Sequence, residues 1–283
     1  MGKVYDALRR AEAQRTQRGA GAAGIAPPID APLGRASGAT PAEGGRLRAL
    51  ARWLRGAHSS GAADEATAVN KRRISLLQPD CFVAEQFRTL RARLDSLANE
   101  RPVRTLAMAS AMPGEGKTTA AVNLALVTAM SVGRRILLVD CDLRRPKIHQ
   151  ALGLRPEFGL AEVLTDQAPL DRALLKVEGT SLEVLPVRAT PKNPSELLAS
   201  ERMRALVEEL ARSYDQVIFD TPPTLALPDA KTVSELTDGL VLVVRADMTP
   251  EEDVQAALDV LDRRRVLGVV MNGADTNPGR YGY

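Results

Sequence analysis

One ten-residue stretch, Ser110–Thr119 (SAMPGEGKTT), holds the spacing best suited to binding a phosphate. It follows the apolar run TLAMAS and opens an apolar stretch of helical period, so the order is strand, loop, helix. Gly114 and Gly116 allow backbone conformations that turn amide N–H groups onto one anion, and Pro113, Glu115 and Thr119 complete the expected cradle. A helix beginning at Lys117 adds its positive end, roughly half an elementary charge. The Lys117 ammonium is expected on the β- and γ-phosphates, and the Thr118 hydroxyl on Mg²⁺. Ala111 stands where the strict pattern has its first glycine.

Two further apolar runs end in acids. ILLVDCDLRRP puts Asp140 and Asp142 at a strand terminus, and QVIFDTPP puts Asp220 at another. Acids at strand tips beside a phosphate loop suit Mg²⁺, directly or through water. The alternative part for one of these carboxylates is to take a proton from an attacking hydroxyl. Taken alone, any of these acids is equally a helix cap; together with the loop they predict a nucleotide site with Mg²⁺.

These residues need a rigid frame. Strands are predicted at Val103–Ala109, Arg135–Asp140, Leu182–Pro186, Gln216–Thr221, Gly239–Arg245 and Val266–Asn272, with helices at Lys117–Ser131, Pro194–Ser213 and Pro250–Arg264. Residues 84–98 form a further helix in which Phe87, Leu90, Leu94 and Leu97 make an apolar stripe. Glu85, Arg88 and Arg91 are expected on its opposite, polar side. Strands alternating with helices predict an α/β fold, a parallel sheet covered on both faces with the ligand at the strand C-termini. The expected division is a basic, largely flexible arm over 1–70, the nucleotide-binding domain over 71–272, and a mobile tail over 273–283.

Composition narrows the function. Aromatic residues are 3% of the chain, which disfavours a nucleic-acid binder built on stacking; no nucleic-acid partner is expected. Two cysteines, Cys81 and Cys141, in no CxxC pair, and two histidines argue against a disulfide framework or a zinc site. Residues 1–78 hold 13 Lys/Arg against 6 Asp/Glu, so the net +3 of the whole chain is made by its N-terminal part. That arm contains two short amphipathic candidates, over 1–16 and 46–56, separated by Gly/Ala/Pro-rich sequence, and its charge favours an anionic surface. The longest uncharged run, Thr118–Gly133, is too short to span a bilayer, and no secretory signal is read in the first 25 residues. The expected location is the cytoplasm, peripheral at the inner face of the membrane.

AMPGEGKT, ILLVDCDLR and QVIFDTPP, with Glu85-x-x-Arg88-x-x-Arg91 and KNPSELLAS at 192–200, together resemble the bacterial tyrosine kinases of capsule and exopolysaccharide synthesis over about residues 74–283. Kinases of this group are built on the P-loop ATPase fold. The resemblance implies an ATP- and Mg²⁺-dependent autokinase with Lys117, Asp140 and Asp142 in catalysis, Thr118, Asp142 and Asp220 at the metal, and Asn272 at a strand end where related folds read adenine. It implies phosphorylation of Tyr281 and Tyr283 by a neighbouring subunit, and a ring of subunits joined through Glu85, Arg88 and Arg91. It also implies a separate membrane chain-length-determinant protein as activator. The MinD/ParA positioning ATPases share the fold, but carry a signature lysine early in the loop where this chain has Met112. A nucleotide-dependent scaffold without kinase activity is the other alternative.

Overall fold

The computed structural model describes residues 78, 80–100, 102–131 and 133–274. The two amphipathic candidates of the arm, and Tyr281 and Tyr283, lie outside them. Seven strands form one sheet in the order β3-β4-β2-β5-β1-β6-β7. They are β1 (Thr105–Ser110), β2 (Ile136–Asp140), β3 (Leu175–Lys176), β4 (Leu182–Leu185), β5 (Gln216–Asp220), β6 (Gly239–Arg245) and β7 (Val266–Asn272). All neighbours run parallel except the short edge strand β3, which is antiparallel to β4. Strands β1, β2 and β5 are buried at every position. This is why they read as continuous apolar runs: both of their faces are covered.

Successive side chains point to opposite faces of the sheet. Leu106, Met108, Ile136, Leu138 and Ile218 pack on α2 (Lys117–Ala129) through Ala121, Leu124, Ala125 and Thr128's neighbour Val127. Their sequence neighbours Leu137, Val139, Val217 and Phe219 face the other way, onto Met203, Leu206, Val207 and Leu210 of α7 (Glu201–Ser213). On that side Ala107, Ala109, Leu240 and Leu242 meet Val254 and Ala257 of α9 (Glu251–Val260). Helix α1 (Phe82–Glu100) lays Phe87, Leu90 and Leu94 against the α2 layer, as its apolar stripe predicts. No helix among the described residues is long and apolar enough to cross a membrane.

Two expectations need correction. The single helix expected over 194–213 is two, α6 (Pro194–Leu198) and α7. Ser200 lies between them in an extended conformation, and its hydroxyl accepts the Met203 N–H at 3.1 Å. An N-cap serine starts a helix by satisfying one of its free amides, so the apolar period continues across a real break. Four further short helices carry no clear period in the sequence: α3 (Ile148–Leu152), α4 (Leu160–Leu164), α5 (Leu170–Ala173) and α8 (Asp229–Glu235).

The second correction concerns the polar side of α1. Glu85 and Arg88 pair at its surface at 2.7 Å. Arg91 turns inward instead: its Nη1 donates to the Val127 carbonyl at 2.9 Å and to the Ser131 hydroxyl. A guanidinium there satisfies a carbonyl left free at the C-terminus of α2 and meets the negative end of that helix. Helical spacing sets the Cα direction of Arg91, but its long stem lets the charge return to the neighbouring helix. Replacing Arg91 by Ala is expected to cost about 1–2 kcal/mol, because a charge-assisted bond and a helix cap are lost together. Glu85→Ala, at an exposed pair, should change stability by less than about 0.5 kcal/mol. Urea denaturation of the two variants checks the contrast.

Candidate nucleotide-binding site

The phosphate loop leaves β1 at Ser110 and enters α2 at Lys117. Gly114 and Gly116 take φ of +88° and +93°, values that L side chains rarely adopt. Gly116 is doubly required. A Cβ there would lie 1.8 Å from Nδ2 of Asn272, which itself donates to the Glu115 carbonyl at 2.9 Å. Asn272, expected as an adenine reader, is therefore a brace for the loop in this structure.

The Glu115 side chain has contacts that the spacing of the loop did not show. It is buried, and its carboxylate accepts the Met112 N–H at 2.9 Å and the Thr249 hydroxyl. Burial pushes this carboxyl above its ordinary value, and Asp253 adds to the rise against those hydrogen bonds. Glu115 can serve a phosphate only through its backbone amide. Arg245 adds a third tie, from Nη1 to the Gly114 carbonyl at 3.0 Å. Spacing did not reveal Thr249 or Arg245, since both come from the end of β6 and the turn after it, far along the chain. Pro113 and Thr119 stand at the loop's partly exposed faces.

The acids gather where the parallel strands end. Asp140 and Asp220 are fully buried, Asp142 is 9% exposed and Lys117 6%. Lys117 Nζ lies 2.5 Å from Oδ1 of Asp220, and the Thr118 hydroxyl donates to Oδ2 of the same carboxylate at 2.7 Å. Burial alone would lower the Lys117 ammonium; Asp220, then Asp142 and Asp140, outweigh it and hold it above its ordinary value. Asp140 is raised to about 8, first by burial and then by Asp220 and Asp142. Burial also raises Asp142, with Lys117 opposing it.

Asp140 and Asp142 occupy different surroundings. Asp140 accepts backbone N–H groups from Asp142 at 3.1 Å and from Lys147 and Ile148 at 3.2 Å each. It organises the loop between β2 and α3. Asp142 keeps part of its surface free, and its Oδ1 accepts the Arg145 N–H at 3.0 Å. Cys141, between them, is wholly buried; burial, then the Asp140 charge, pushes its thiol well above the ordinary value, so it is no nucleophile.

Three carboxylates and one ammonium leave this buried cluster short of positive charge. The Asp220 and Asp142 carboxylates and the Thr118 hydroxyl are hard oxygen donors of the kind Mg²⁺ takes with a nucleotide's phosphates. The residues therefore fit Mg²⁺ and the phosphates of a nucleotide, with Lys117 and the loop amides left for phosphate.

The cluster has a pH signature. An ordinary aspartate sits at 3.8, whereas Asp140 in the fold sits at about 8. Between those values the folded state holds a proton that the unfolded chain has released, so stability falls as pH rises. The nucleotide-free protein is expected to melt at a lower temperature near pH ~8.5 than near pH ~6, and Asp140→Asn should flatten that slope because it cannot ionise. Thermal melts across that range, in the absence of divalent ions, check the sign.

The comparisons with known proteins cover the part of the chain that holds this site. A family model described as an AAA domain matches residues 103–262. The chain is 38% identical over 213 residues to tyrosine-protein kinase YwqD of Bacillus subtilis, covering 74% of this chain and 90% of that one. It is 34% identical over 215 residues to the succinoglycan biosynthesis transport protein ExoP of Rhizobium meliloti, covering 74% of this chain but 27% of ExoP's length. Among solved structures, the kinase domain of the Escherichia coli tyrosine kinase ETK matches with a TM-score of 0.69 and 31% identity, over 73% of this chain and 82% of that one. The span matched as an AAA domain contains the phosphate loop and all three carboxylates, and the chain belongs to the family of bacterial tyrosine kinases.

Proposed function

We propose that the chain is an ATP-dependent protein-tyrosine autokinase acting in the control of exopolysaccharide or capsule synthesis. One observation carries the mechanism: Lys117 and Thr118, at the junction of loop and helix, both engage the buried Asp220 carboxylate. The ammonium and the hydroxyl are thus held at the place where β- and γ-phosphates and Mg²⁺ would be received.

Lys117 opposes charge on the transferring phosphoryl group, where electrostatic stabilisation carries most of the rate. Thr118, Asp142 and Asp220 would hold Mg²⁺, which would supply further neutralisation of the phosphate oxygens. A carboxylate of the Asp140–Asp142 pair accepts the phenolic proton of tyrosine. The phenolic oxygen bonds to the γ-phosphorus, the bond from that phosphorus to the β–γ bridging oxygen breaks, and ADP leaves. Burial raises both carboxyls above the ordinary aspartate range, which makes either a stronger proton acceptor in its ionised form.

The acceptors are Tyr281 and Tyr283 of a neighbouring subunit. Tyr214 is unsuited to that part: it is buried and its hydroxyl donates to Glu183 at 2.7 Å. A ring whose interfaces close brings each tail to the next active site. Glu85 and Arg88 are the members of the helix α1 motif that support such a contact, Arg91 being committed to α2. The basic residues before position 79 suit an anionic inner-membrane surface, worth about 1 kcal/mol per Lys or Arg near it. A membrane chain-length-determinant protein is the activator of this reading.

Lys117→Met should abolish phosphotyrosine formation with ATP and Mg²⁺. It should also lower the melting temperature, because Asp220 loses its buried cation. Wild-type labelling by the folded variant would overturn the assignment. Tyr281→Phe with Tyr283→Phe should remove most of the label and leave nucleotide affinity unchanged. Mass-spectrometric mapping of phosphotyrosine, paired with binding of a fluorescent ADP analogue, reads both results.

A further inference from the structure

The Asp142 loop is held from inside by Asp140, and a second group of side chains holds it from outside. Arg144, two residues beyond Asp142, donates from Nε to Oδ2 of Asp229 at 3.2 Å and from Nη2 to the Ser195 hydroxyl at 2.9 Å. Ser195 in turn donates to Oδ1 of Asp229 at 2.5 Å. The three residues close a cycle in which each touches the other two. Asp229 is 2% exposed, whereas the Arg144 side chain is 36% exposed at the rim. A buried carboxylate left without its cation is costly, so Asp229 fixes the guanidinium strongly.

The cycle joins three separate segments. Arg144 belongs to the loop that carries Asp142. Ser195 belongs to α6, within KNPSELL. Asp229 begins α8, after the segment that leaves β5 at Asp220. That segment is itself stitched to the phosphate loop: the Thr224 N–H donates to the Ser110 carbonyl at 2.8 Å and the Leu225 N–H to that of Ala111 at 3.2 Å. The Thr190 hydroxyl adds a long contact to the Arg144 carbonyl at 3.4 Å. The chain of bonds therefore runs from the phosphate loop, through the Asp220 segment, to the Asp142 loop.

We propose that Arg144, Ser195 and Asp229 form a positioning clamp that sets Asp142 relative to Asp220 and so governs how tightly the site holds Mg²⁺ with its nucleotide. None of the three is a catalytic residue; they act through Asp142. Arginine is required because its planar fork bridges a carboxylate and a hydroxyl at once, which a lysine ammonium on a flexible stem does not reproduce. The clamp rests on the Mg²⁺ and nucleotide reading above.

The test titrates Mg²⁺ against binding of a fluorescent ADP analogue to the full chain, with melting temperatures measured alongside. The variants are Ser195→Ala, Arg144→Gln, their double, and Ser195→Thr. Each single variant should raise the Mg²⁺ half-point by ~10-fold or more, as loss of a supporting contact behind a metal ligand does. The double variant should be little worse than the poorer single, since both break one unit. Ser195→Thr keeps the hydroxyl and should restore the wild-type half-point. Unchanged half-points with lowered melting temperatures would show that the cycle only stabilises the fold and would overturn the proposal, as would additive losses in the double. If wild type binds the analogue with no dependence on Mg²⁺, the underlying metal reading falls and the clamp with it.

Discussion

A single ammonium facing three carboxyl groups at the C-terminal ends of the strands sets the terms for the rest of the site. Lys117 is nearly surrounded by protein, and its charge persists because Asp220, Asp142 and Asp140 lie around it. The acids persist at the cost of their own ionisation, which burial and mutual repulsion oppose. Neither side of this balance is satisfied alone. A divalent cation and a polyphosphate entering together add positive charge for the carboxylates and negative charge for the lysine. The fold therefore holds an arrangement better suited to Mg²⁺ and nucleotide than to emptiness, which is the form preorganisation takes in a charged site.

That balance requires the loop and the strand ends to be stiff. Parallel strands covered on both faces supply the stiffness along β1, β2 and β5. The loop itself is tied from the β6–β7 side through Arg245, Thr249 and Asn272, each meeting a backbone carbonyl or the Glu115 carboxylate. Such ties explain why the loop's glutamate is buried rather than presented to a ligand. They also explain why Gly116 tolerates no side chain: the space is taken by the Asn272 amide as well as forbidden by the backbone angle. The cycle through Asp229 plays the corresponding part on the Asp142 side.

Much of this was legible in the linear sequence, for definable reasons. The loop is local: its glycines, lysine and threonine are consecutive, so spacing alone identifies them. The buried strands are apolar on both faces, and the acids at their tips interrupt that pattern visibly. Helix α7 was legible as a period but not as a separate element, because a cap such as Ser200 breaks the backbone without breaking the apolar repeat. Arg91 was misplaced because helical geometry fixes where a side chain starts, and a long one can end elsewhere. Thr249, Asn272 and Asp229 had no local signal for their present contacts, since each meets its partner only through the fold.

By itself the sequence showed the fold class, the phosphate-loop motif and the acids that end the strands, because each depends on residues close together in the chain or on periods that burial imposes; the kinase family followed from the resemblance of those motifs. Tertiary structure decided which acid organises and which remains accessible. Asp140 and Asp142 are two residues apart and chemically alike, yet one accepts three backbone amides from the turn that follows it and the other keeps an open edge. That distinction arises when a loop closes over one carboxylate, and loop closure is set by packing against α3, α6 and α8 rather than by the residues of the motif.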